Sequence, residues 1–126
     1  MNELAELLQP LWSEAKACRE LQLTTEELRA LGAAGDILAL PTSDPTPVYL
    51  YPVDQFERAD GHVRVRPALQ TAFRELRATD AWTVALAVLR TSAPELGDQT
   101  PLDAARHGVT PERIAAYARL LAAEWR

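Results

Sequence analysis

Few side chains in this 126-residue chain have the types and spacing that catalysis demands. His62 and His107 stand far apart, and the single cysteine, Cys18, has no histidine near it in sequence. The chain contains no glycine-rich phosphate loop, no HExxH and no CxxC. The expectation is therefore a protein that is not an enzyme and uses neither a metal nor a cofactor. His107, beside Gly108 at an expected helix end, reads as a helix-terminal histidine, and His62 as a solvated loop residue.

Arginine is the residue type left to explain. Arg64, Arg66, Arg74 and Arg77 crowd one stretch against the single acid Glu75. Guanidinium groups so placed suit a carboxylate-rich partner or a phosphate backbone, and equally a plain solvated face. Arg64 and Arg66, together with Arg29 upstream, are the candidate nucleic-acid contacts. Charge balance opposes that use. Residues 1 to 57 carry three basic side chains against ten acids, a net of −7, whereas residues 58 to 126 carry ten arginines against eight acids, a net of +2. Because phosphate neutralisation dominates affinity for DNA, the acidic half works against its main favourable contribution.

The elements that position these residues read as mainly α. Leu4, Leu7, Leu8, Leu11 and Trp12 recur at helical spacing, continue weakly to Leu21, and are interrupted by Pro10, giving one long helix or two short ones. Such an apolar stripe also suits a homodimer or higher oligomer. Thr24 or Thr25 caps the next helix, which ends near Gly32 or Gly35. Ile37–Leu40 and Val48–Tyr51 flank a loop rich in proline, serine and threonine and predict a small β-hairpin. Residues 1–57 thus form a helix and hairpin module, 58–66 a junction, and 67–126 a C-terminal helical bundle lobe.

Within that lobe, Pro67 opens a helix with Leu69, Ala72, Phe73 and Leu76 on one face. Thr79 or Asp80 caps a helix over residues 81 to 89 that is apolar all round, as a buried central helix must be. Thr100-Pro101 and Thr110-Pro111 each pair a capping hydroxyl with a proline that has no N–H to lose, so each starts a helix. The last helix places Ile114, Tyr117, Ala118, Leu121, Ala122 and Trp125 along one stripe, with Arg113, Arg119 and Glu124 away from it.

The run from Leu89 to Asp103, LRTSAPELGDQTPLD, is the segment whose residue order is least expected by chance. Its Arg90-Thr91, Pro94, Leu96-Gly97 and Thr100-Pro101-Leu102-Asp103 resemble the LRTPNPALGGRTPLE pattern of the Xre/MbcA/ParS toxin-binding antitoxin family. Val88 replaces the family's usual aromatic, and Asp98 replaces its second loop glycine. More loosely, the likeness runs from about Asp80 to the C-terminus. The preceding LTTEELRALGAAGDILALP resembles a degenerate winged helix-turn-helix module. The resemblance implies a cognate protein toxin as partner, of the RES type acting on NAD, neutralised by occlusion. It also implies Arg90, Tyr117, Arg119, Trp125 and Arg126 as partner-binding candidates. For Arg90 the residues themselves offer another reading, a guanidinium bonded to the last carbonyls of its helix or to the loop. The alternative function is a DNA-binding regulator or autorepressor acting through the N-terminal module. With no secretory signal and no membrane-spanning run in the sequence, a cytoplasmic location is expected.

Overall fold

The computed structural model describes residues 3 to 125, so Arg126 lies outside the described residues. The helical spacing of residues 4 to 12 is realised only in part. Helix α1 covers Glu3–Leu7, and after Pro10 the chain extends as strand β1, Leu11–Trp12. Proline at position 10 accounts for the break, since its ring clashes with the preceding turn and it has no N–H to donate. Ser13 then caps helix α2, Glu14–Leu21, by accepting from the Lys16 N–H at 3.2 Å.

Helix α3, Thr25–Ala34, starts on a reciprocal capping box. The Glu27 N–H donates to the Thr24 hydroxyl at 3.1 Å, and the Glu27 carboxylate accepts from the Thr24 N–H at 3.0 Å. The Thr24 N–H, and after it the Thr24 side chain, favour the ionised form and hold the Glu27 carboxyl below its ordinary pKa. The helix stops at Gly35, where φ is +78°, a conformation that favours glycine, and where an added Cβ would lie 3.1 Å from the Arg77 Cβ and press on it.

Two strands follow, β2 at Leu40–Pro41 and β3 at Tyr49–Pro52. They pair antiparallel in the register Leu40 opposite Leu50, and β1 joins the other edge of β3, giving the sheet order β1-β3-β2. The expected hairpin is thus present but shorter, because Ile37 to Ala39 lie outside the ladder. The Gln55 side chain stands in for their strand partner. Its Oε1 accepts from the Leu38 N–H at 2.8 Å and its Nε2 donates to the Leu38 carbonyl at 2.9 Å.

Residues 58 to 66, read from sequence as a junction, belong mostly to a second hairpin. Strands β4, Phe56–Ala59, and β5, His62–Val65, pair across Asp60-Gly61, both at positive φ, as a two-residue hairpin turn requires. Helices α4, Pro67–Glu75, α5, Ala81–Leu89, α6, Pro101–Arg106, and α7, Pro111–Glu124, complete the chain. Asp80, Thr100 and Thr110 cap the last three through the backbone N–H groups of Thr83, Asp103 and Arg113.

The two halves share one core. Leu8, Leu38 and Leu40 pack with Leu69, Phe73, Leu76, Val84, Val88, Leu96, Leu102 and Ile114. The Trp82 indole N–H adds a bond across to the Pro41 carbonyl at 2.9 Å. A smaller cluster, Ala17, Leu28, Ile37, Tyr51 and Phe56, lies under α2 and α3, with Trp12 stacked on Phe56 at 4.9 Å. The stripe expected to serve a homodimer is therefore largely used inside the molecule. Leu8 is buried and Leu11 and Trp12 are half-buried, leaving Leu7 as the exposed member.

Candidate protein-binding surface

Helix α7 presents two apolar faces. Ile114, Ala115 and Ala118 are buried, and Tyr117, Leu121 and Ala122 pack half-buried against the core, as the sequence stripe requires. On the opposite side Ala116, Leu120 and Ala123 fall at i, i+4 and i+7 and are all exposed. Leu120 is 56% exposed, and the helix ends on Trp125 at 38%. Arg113 and Arg119 flank the row. Arg113 reaches the Glu95 carbonyl at 3.3 Å, and Arg119 pairs with Glu75 at 3.2 Å. The outer row was missed by sequence reasoning, although its i, i+4, i+7 spacing is visible once the inner stripe is assigned.

The remaining candidates fall in different places. Tyr117 is half-buried beneath this face, where burial first and then Glu95 and Glu124 push its phenol pKa up, so it stays protonated and able to donate. Trp125 follows the last residue of the helix on the side of the inner stripe, opposite the exposed row, and is itself part-exposed. Arg90 is directed inward. Its Nε donates to the Leu7 carbonyl at 2.9 Å, its Nη1 to the Leu89 carbonyl at 2.9 Å, and its Nη2 to the Gln9 carbonyl at 3.1 Å and the Asp54 carboxylate at 3.0 Å. The bond to Leu89 is of the helix-end kind that the residues themselves suggested. The others tie α5 to the turn after α1 and to Asp54.

The segment from Leu89 to Asp103 divides in the same way. Ala93, Leu96 and Leu102 are buried, and Ala93 bridges Gln99 across the turn. Gly97 and Asp98 are exposed at φ +70° and +62°. Asp98 thus occupies a left-handed position that glycine fills most easily and aspartate tolerates better than most residues.

The three arginines singled out for nucleic acid are already matched by acids. Arg29 meets Glu14 through Nη2 at 3.1 Å and Nε at 3.2 Å. Arg64 meets Glu57 at 2.7 Å. Arg66 lies 3.6 Å from Glu57 and donates to the Asp54 carbonyl at 3.2 Å. Burial, followed by Arg106, pulls the Arg66 pKa down, while Glu57 and Asp54 oppose the shift. Arg74, from the same sequence cluster, pairs with Asp36 at 2.5 Å. The acids responsible, Glu14, Asp36 and Glu57, come from elsewhere in the fold, so a count of local charge overstated the cluster.

The isolated chemistry-bearing residues stay isolated. The His107 ring hydrogen-bonds the Gln99 side chain, His62 is exposed on β5, and the half-buried Cys18 thiol lies 4.0 Å from the Thr25 hydroxyl. Among the described residues no group of three or more His, Cys, Asp or Glu side chains is placed to hold a metal ion, and no helix is long and apolar enough to cross a membrane. Comparison of the chain with protein-family models, with curated proteins and with solved structures gives no match.

Proposed function

We propose that this chain is an antitoxin-like binding protein whose last helix covers a cognate toxin, of the RES type that the Leu89 to Asp103 resemblance implies. The observation that supports this reading is the outer row of α7. A leucine 56% exposed between two exposed alanines and flanked by two arginines forms an apolar row that faces outward and suits a protein partner. Folding of the chain alone does not account for it, since the opposite face of the same helix supplies the core contacts. Inhibition follows by occlusion, the helix and its terminus filling the approach to the partner's active site.

Co-expression with the protein encoded by the neighbouring reading frame tests the reading. The wild-type chain is expected to co-purify with that protein and relieve its toxicity. Leu120→Glu places a charge in the centre of the row and should weaken the complex at least 30-fold, roughly 2 kcal/mol, with an unchanged circular dichroism spectrum and melting temperature. Failure of the full-length wild-type chain both to co-purify and to rescue would overturn the assignment.

One feature favours DNA binding as a second reading. The element order α1-β1-α2-α3-β2-β3, with sheet order β1-β3-β2, is that of a winged helix-turn-helix module. Its reading surface is poor in cations, however. Helix α3 exposes Glu26 and Glu27 beside an Arg29 already paired with Glu14, and the loop between β2 and β3 carries Asp44. A gel-shift titration against the DNA upstream of the chain's own reading frame should show weak binding that disappears as salt rises. Tight, sequence-specific binding that persists at physiological salt would instead place the main function in this module.

A further inference from the structure

A recess of about 280 Å³ opens between α3 and the strand pair β2-β3, lined by Arg29, Gly32, Ala33, Ala39, Tyr49 and Tyr51. Tyr51 is 1% exposed, yet no protein group among the described residues hydrogen-bonds its hydroxyl. Every fully buried side-chain oxygen or nitrogen among those residues has a partner, so this hydroxyl keeps an opening to the outside, and the recess is that opening. With its ring buried and its hydroxyl free of any protein partner among the described residues, Tyr51 presents a donor to the recess that a ligand can take over from water.

The walls define what fits. Gly32, Ala33 and Ala39 supply a floor with nothing beyond Cβ, and even a Cβ on Gly32 would lie 3.4 Å from that of Ala39. Such a floor takes a flat ring, and Tyr49 supplies an aromatic side wall. Charge is already balanced at the rim, because Arg29 directs two nitrogens at one oxygen of Glu14. A carboxylate ligand would have to compete with Glu14. The volume is just below the range of drug-sized sites, which limits the occupant to one or two rings.

We propose that this recess binds a small, planar, uncharged aromatic molecule bearing a hydrogen-bond acceptor on its edge, with the Tyr51 hydroxyl as donor. Burial, and then the nearby Glu14 carboxylate, push the phenol pKa up to about 12, so the donor proton is present at all physiological pH values.

Benzamide is the probe, titrated into the full-length chain and followed through the backbone amide resonances of Gly32, Ala33 and Ala39. Saturable shifts confined to these residues and their neighbours are expected, with benzoate binding more weakly. Tyr51→Phe keeps the ring and removes the donor, and should lower affinity about tenfold. Ala33→Leu, on the exposed side of α3, fills the recess and should abolish binding while leaving the melting temperature unchanged. Absence of saturable shifts with benzamide, or equal affinity in wild type and Tyr51→Phe, overturns the proposal. Equal or tighter binding of benzoate overturns the assignment to an uncharged ligand.

Discussion

Replacing Gln55 with leucine is expected to lower the unfolding free energy by about 3 kcal/mol, seen as a lower urea midpoint at unchanged slope. Among the described residues Gln55 is the buried polar side chain, at 0% exposure, and both ends of its amide are occupied by the backbone of Leu38. Leucine of similar size leaves one N–H and one C=O without partners in a place water does not reach. Each such group costs roughly 1 to 3 kcal/mol, and the extra apolar contact offsets only part of it. Against a typical total of about 5 to 15 kcal/mol, this is a large fraction. Gln55→Glu supplies the directional control. The ionised carboxylate loses the donor to the Leu38 carbonyl and faces that oxygen, so its folded-state pKa is raised above the unfolded value of about 4.3. Stability of that variant should then be greatest below this value and fall as pH rises through the folded pKa. An unchanged midpoint for Gln55→Leu would show that the amide does not hold the 37–39 segment.

What the sequence could reveal was mostly local. Capping residues announce their helices because a cap acts within three residues; of the pairs Thr24 or Thr25 and Thr79 or Asp80 the structure selects Thr24 and Asp80, and Thr100 and Thr110 likewise accept the bond their positions require. The inner stripe of α7 and the apolar α5 were likewise legible from period alone. Strand β1 was not, since two residues have no period of their own and Leu11 and Trp12 continue the spacing of α1. Nor was the shared core. Leu8, Leu38 and Leu40 meet the C-terminal helices through contacts between distant parts of the chain, and no local pattern marks a leucine as belonging to one half or the other. Gln55 shows the same limit for polar residues, because one glutamine before a strand reads as surface until its partner 17 positions away is known.

The candidate site divides along the same line. Arg29, Arg64 and Arg66 could be counted as cations from sequence, but whether a cation is available depends on which acid folds against it. Glu14 and Glu57 decide that. Leu120 was passed over because a leucine in an amphipathic helix is assigned to the core by default, and only the position of its neighbours on the helix shows that it points away.

Arg90→Ala is expected to cost about 2 kcal/mol and to lower the melting temperature by roughly 6 to 10 °C. The guanidinium connects three pieces of chain: the end of α5, the turn between α1 and β1, and Asp54 after β3. Four donated bonds to charged or carbonyl acceptors would suggest more, but the side chain is 30% exposed, so water partly replaces what is lost. Arg90→Lys should recover little, because a single ammonium cannot reach the Leu7, Gln9 and Leu89 carbonyls and the Asp54 carboxylate together. Asp54 would keep Arg106, 3.6 Å away, so a double-mutant cycle with Asp54→Ala should return a coupling well below the whole Arg90 effect. Hydrogen exchange should quicken most in residues 7 to 12. The comparison with Leu120→Glu separates scaffold from surface. Arg90→Ala lowers stability and should leave partner affinity per folded molecule unchanged, whereas Leu120→Glu does the reverse. If Arg90→Ala weakened the complex at a temperature where it is fully folded, Arg90 would have to be counted among the contact residues, and the bonds it makes inside the free chain would be exchanged on binding.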